Sequence, residues 1–105
     1  MAIEVVAILT PLPGKKQEVI DGLKVLADAV QANEPNCERY QLSEVAGEDE
    51  LVFIEKYASE ADYETHRNSE HYKAAMAEAA KQSALAGAPK ISVLKPTGTG
   101  FNRKD

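Results

Sequence analysis

The chain has a single cysteine, Cys37, among its 105 residues, which excludes an intramolecular disulfide and any cysteine-rich zinc site. It has no tryptophan and two histidines, His66 and His71. Lys and Arg are outnumbered by Asp and Glu, 12 to 17, for a formal net charge of -5. The basic residues are scattered, so no footprint for nucleic acid or an anionic membrane is present. No Gly-rich loop follows a strand and opens a helix, and no nucleophile-elbow sequence supports a Ser-His-Asp hydrolase. No run of about 18 apolar residues and no basic-then-apolar leader with a cleavage site occur. A soluble, cytoplasmic protein is the expectation.

What is present suits one domain, since the length falls within the usual prior of roughly 100 to 200 residues and 44% of residues are hydrophobic. The stretch from Leu51 to Tyr72, LVFIEKYASEADYETHRNSEHY, organises the rest. Leu51 to Tyr57 is apolar at Leu51, Val52, Phe53, Ile54 and Tyr57, with the β-branched and aromatic bias of a strand covered on both faces. Ser59 is a good N-cap, with Asp62 three residues on and Glu60 at the positive end of the helix dipole, so a helix starts at about Glu60. The pattern breaks near Asn68 and Ser69, where Ser69 can cap a second helix beginning with Glu70. Both histidines flank this break.

Ile3 to Thr10 is apolar on both alternating sets and reads as a buried central strand, closed by the turn Pro11-Leu12-Pro13-Gly14. From Lys15 to about Asn33, Val19, Ile20, Leu23, Leu26, Ala27 and Val30 recur at the spacing of an amphipathic helix, which Glu34-Pro35-Asn36 closes. Cys37 to Val45 alternates weakly, as an edge strand with a polar face. The acids of 46–50 read as a solvated turn. Glu70 to about Ala86 is a helix rich in alanine, with Tyr72, Met76 and Leu85 as its large apolar residues. Small side chains let it pack close on the sheet, which is the expectation, or leave a cavity. Gly87 is the expected C-cap and Pro89 the stop. Lys90 to Lys95 forms a last strand, and 96–105 a flexible C-terminal tail.

This order predicts an α+β fold of ferredoxin-like split βαβ type, a four-stranded antiparallel sheet with helices on one face, filling residues 1–95. Strands apolar on both faces then leave Val, Ile, Leu or Phe side chains in water, each forfeiting about 1.5 to 3 kcal/mol of burial. A symmetric homodimer, sheet against sheet, removes that surface. Val52 and Ile54 are expected on opposite faces, one under the helices and one under the partner.

Glu55-Lys56-Tyr57, the capped Ser59-Glu60-Ala61, Glu64-Thr65-His66 and Ser69-Glu70-His71-Tyr72-Lys73-Ala74 resemble the signature of the antibiotic biosynthesis monooxygenase (ABM) domain family, within the dimeric α+β barrel superfamily. The first strand with Pro13-Gly14-Lys15 is similar to that family's first strand and turn, so the likeness runs loosely over the first 95 residues. The resemblance implies a barrel of paired sheets with one pocket per subunit. It also implies oxidation of phenolic, hydroquinone or polyketide-like aromatics by molecular oxygen, with neither metal nor flavin. Haem-degrading members of the superfamily are similar around Ser69 to Ala75, but the positions of their Asn, Trp and His ligand correspond to Ala7, His66 and Met76. Haem degradation is therefore disfavoured, with a shifted ligand such as His71 as the alternative.

Such chemistry needs a base, an apolar pocket and donors for an oxyanion. His66 is the candidate base, with Tyr57 and Tyr72 as orienting or donor groups; Phe53, Ile54, His71 and Met76 are the candidate substrate-binding residues. Tyr40, Tyr63, Asn68 and Ser69 stand on neighbouring elements. Each also has a plainer reading: a histidine hydrogen-bonded to nearby backbone, or a core tyrosine with a satisfied hydroxyl. No metal site is expected, because histidines five apart do not share one helix face and no third ligand is apparent. No cofactor is expected either. A non-catalytic dimer that binds a small hydrophobic ligand or serves a stress response, and an isomerase or cyclase using the same pocket, stay open beside the monooxygenase.

Overall fold

Alternation along the two most apolar strands decides the layering. In the computed structural model, which describes residues 2–103, β1 (Ile3–Leu9) buries Val5, Ala7 and Leu9, and β3 (Leu51–Tyr57) buries Leu51, Phe53, Glu55 and Tyr57. Their alternate residues, Val6, Ile8, Val52 and Ile54, are only half-buried. The first set lies under the helices and the second on the helix-free face, since side chains two apart on a strand share a face. Val52 and Ile54 therefore sit on the same face, not on opposite ones as expected.

The sheet runs β2-β3-β1-β4, entirely antiparallel, with β2 (Cys37–Glu44) and β4 (Lys90–Leu94) at its edges. β1 pairs with β3 from Ile3↔Tyr57 to Leu9↔Leu51. On the helix-free face this register sets Val6 beside Ile54 and Ile8 beside Val52, four branched side chains with no layer over them. The strand order and connections are those of a ferredoxin-like α+β fold.

α1 (Lys16–Asn33) presses Val19, Leu23, Leu26 and Val30 onto the sheet. α2 (Glu60–Arg67) and α3 (Glu70–Gln82) begin at the serines picked out in the sequence: Ser59 Oγ accepts from the Asp62 amide and Ser69 Oγ from the Tyr72 amide, each at 3.2 Å. α3 buries none of its residues. It does not pack close on the sheet as expected; it lies against α1, and a groove remains between the two helices. It also ends at Ser83 rather than at Gly87. Ser83 takes the left-handed conformation at φ 52°, and the next residues pair with the segment after β1, through Leu12 N–H to Ala84 O at 2.8 Å and Ala86 N–H to Thr10 O at 2.7 Å. Those bonds compete with another helical turn and win. Residues 95–103 have no regular structure and are exposed; the last two positions of the expected tail lie outside the described residues. Among the described residues no helix is long and apolar enough to cross a membrane.

Candidate active site

The break between α2 and α3 turns the chain so that the last turn of one helix and the first turn of the next face the end of α1. There Glu34, the C-cap of α1, is fixed by its own amide to Val30 O at 2.8 Å and by accepting the Cys37 amide at 3.0 Å. Its carboxylate reaches both histidines. His66 Nδ1 lies 3.1 and 3.0 Å from Glu34 Oε1 and Oε2, and His71 Nε2 meets Glu34 Oε2 directly. His66 is 2% exposed and Glu34 8%, whereas His71 is partly open.

A carboxylate only accepts, so the His66 nitrogen that faces it carries the proton, as Nδ1–H. Nε2 is then left with its lone pair. Burial holds His66 below the usual histidine pKa; the hydrogen bond and charge of Glu34 oppose the shift, and His71 adds to it. The imidazole is neutral at physiological pH, the state that can accept a proton.

His66 sits in an aromatic ring of neighbours, with centroids 4.9 Å from Tyr72, 5.3 Å from Tyr40 and 5.4 Å from Tyr57. Tyr40 stacks on Phe53 at 4.4 Å. His66, Tyr40, Phe53, Glu55, Tyr72 and Met76, among others, line a cavity of about 30 Å³. That is about the share of one water in the liquid. Beside it, between α1 and α3, lies the groove, of about 510 Å³. Leu9, Leu23, Leu26 and Met76 line both. The groove is walled by Val19, Ala74, Ala75, Ala79 and Leu85, with His71, Glu18, Glu78 and Gln82 as polar lining residues, and its volume is within the range of about 300 to 1,000 Å³ usual for small-molecule sites.

Of the residues expected in a site, His66, Tyr72, Phe53 and Met76 line the inner cavity, and His71 and Met76 the groove. Tyr63 and Tyr40 join the inner wall. Two do not belong. Ile54 faces away, on the helix-free side, because it alternates with Phe53 and Glu55. Tyr57 is fully buried and lines neither space; its hydroxyl donates to Glu55 Oε1 at 2.6 Å. Asn68 and Ser69 are spent on helix ends, through Asn68 Nδ2–H to Glu64 O and Ser69 Oγ–H to His66 O.

Sequence reading passed over two acids. Glu55 had a signal: it is the charged residue at an inward position of β3, between Phe53 and Tyr57. Burial raises its carboxyl from the ordinary 4.5 to about 7, the Tyr57 hydrogen bond lowers it and nearby Glu34 raises it further. Glu34 had no such signal, because it stands next to a proline at a helix end, where an acid is usually solvated. It also overturns the expectation that the histidines lack a third partner: their separation by five rules out one continuous helix face, but the helical break brings them together regardless.

Residues 2–78 match the family described as antibiotic biosynthesis monooxygenase. No curated protein matches the chain in sequence. Among solved structures, a Caulobacter crescentus CB15 protein, provisionally named as an antibiotic biosynthesis monooxygenase, is 37% identical over 91% of this chain and 90% of its own, with a TM-score of 0.83. A Mycobacterium tuberculosis protein is 30% identical over 91% of this chain and 95% of its own, at 0.72. A conserved protein from Methanosarcina mazei Go1 is 25% identical over 90% and 92%, at 0.79. With a family match spanning well over half its length, a fold shared with these relatives and the motif residues gathered around one cavity, the chain belongs to the antibiotic biosynthesis monooxygenase family.

Proposed function

We propose that the protein oxidises a small phenolic, hydroquinone or polyketide-like aromatic with molecular oxygen, using no bound cofactor. The observation that carries this reading is a buried, neutral His66 whose Nδ1–H is held by Glu34 while the ring lines an aromatic cavity. A carboxylate that fixes one imidazole nitrogen as a donor leaves the other as a base, the arrangement by which histidine serves in proton abstraction. His66 takes the phenolic proton. The resulting anion is electron-rich enough to reduce oxygen itself; one oxygen atom enters the product as a carbonyl and the other leaves as water.

The groove between α1 and α3 receives the aromatic body, with His71 in its lining. Met76, unbranched and flexible, divides the groove from the inner cavity, and its rotation joins them. Tyr72 is the candidate donor to the oxyanion, its ring beside His66. Tyr57 acts through Glu55, which its hydroxyl holds. The helix-free face is the proposed homodimer contact, since Val6, Ile8, Val52 and Ile54 form one apolar patch there.

The test is oxygen uptake by the purified chain with a panel of hydroquinones and anthrone-like phenols. Turnover is expected, and His66→Gln, which keeps one hydrogen bond but is no base, should lower it by about 10² to 10⁴. Saturable binding of the same compounds without oxygen uptake would favour the ligand-binding reading, which the size of the groove also suits. Full activity in His66→Gln would remove His66 from the chemistry.

A further inference from the structure

Three groups able to bind a metal converge at one point on the site's edge. His66 Nδ1, His71 Nε2 and one carboxylate oxygen of Glu34 all lie within 4.8 Å of one another. They come from three elements: the end of α1, the last turn of α2 and the first turn of α3. We propose that Glu34, His66 and His71 form a binding site for a divalent transition-metal cation. Two imidazoles and a carboxylate are the donor set of open zinc sites and related transition-metal centres, in which three protein ligands leave a coordination position free.

The geometry is near what such an ion requires. Tetrahedral metal bonds of about 2.0 to 2.2 Å place neighbouring ligand atoms about 3.3 to 3.6 Å apart. The His66 to Glu34 separation of 3.0 Å has to widen by only a few tenths of an ångström. The His71 to Glu34 separation is shorter and has to open. His71 is the ligand best able to move, being partly exposed in the first turn of α3, and it lines the groove, which gives an ion a route in. Glu34 and His66 are rigidly backed, by the cap of α1 and by the surrounding tyrosine rings.

Occupancy has a chemical consequence through the tautomer. A cation on His66 Nδ1 takes the position of the proton now donated to Glu34, so a neutral ring must carry its proton on Nε2. That nitrogen then donates and no longer accepts. Metal and base function therefore compete for one imidazole, and added metal should inhibit oxidation. This consequence rests on the oxidation reading; binding itself does not.

The test is Zn²⁺ titrated by calorimetry into chelator-treated full-length protein. One equivalent per chain is expected, with a rise in melting temperature. Loss of even an outer partner of a bound metal costs about 10- to 100-fold in affinity, so Glu34→Gln and His71→Ala should each weaken Zn²⁺ at least that far. Far-UV circular dichroism checks that each variant is folded, and His71→Asn replaces His71→Ala if the latter is not. No saturable uptake of Zn²⁺ by the parent overturns the proposal. So does unchanged affinity in both variants, which assigns the ion to other groups such as the acids of 44–50. Binding without inhibition would leave the metal site standing and count against His66 as the base.

Discussion

Replacing Glu55 by Gln should change how stability depends on pH, by an amount the structure allows to be worked out. Glu55 lies inward on β3, 5% exposed, opposite Tyr40 and Val5 in the ladder and accepting a hydrogen bond from the Tyr57 hydroxyl. Its carboxyl is raised from 4.5 to about 7. The protonated form is thus favoured by folding. The stability it contributes is complete below pH 4.5, declines as the unfolded chain ionises while the folded one does not, and is gone above about pH 7. At about 1.4 kcal/mol per pH unit, the loss across that window is about 3 kcal/mol.

Gln is neutral at every pH and keeps an oxygen for the Tyr57 hydroxyl. Any cost of an unpaired amide hydrogen, about 1 to 3 kcal/mol, is the same at all pH values and cancels in the slope. Urea unfolding followed by circular dichroism at pH 4.5, 6 and 8, at one fixed protein concentration, measures it. The difference in stability between Glu55→Gln and parent should move by about 3 kcal/mol in favour of the variant from pH 4.5 to 8. A difference that stays constant across that range would refute the reasoning, since it would mean that Glu55 titrates alike in the folded and unfolded chain.

Ile54→Lys places a charge at the middle of the helix-free patch, beside Val6, and should convert a dimer at micromolar concentration into a folded monomer by sedimentation; a parent that already runs as an 11.4 kDa monomer would remove the premise. Gly22→Ala, in the middle of α1 where an added Cβ meets nothing within 4 Å, should stabilise by about 0.5 to 1 kcal/mol in the same urea assay. Ala79→Phe fills the groove from α3 and should abolish binding of aromatic ligands by calorimetry while leaving the fold intact; retained affinity would place the ligand elsewhere.

The sequence alone carried whatever depends on neighbours along the chain. Serine hydroxyls three residues from an amide cap α2 and α3, apolar alternation marks β1 and β3 as central, and 3.6-residue spacing gives α1 its buried stripe at Val19, Leu23, Leu26 and Val30. These are short-range interactions, and their patterns survive in one dimension. The family motif is of the same kind, a run of residues around one helical break. Tertiary structure decided the rest. Glu34 reaches His66 and His71 across 32 and 37 residues, a meeting set by how α1 docks rather than by any local signal. Whether the alanines of α3 close on the sheet or leave room depended on where the helix docks, against α1 rather than on the strands, which composition does not specify. The end of α3 was settled at Ser83 because the chain beyond it found backbone partners at Thr10 and Leu12. A hydrogen bond between segments so far apart in sequence outweighs the local preference of Gly87 to end a helix, because a helix end needs partners for its carbonyls wherever the fold supplies them.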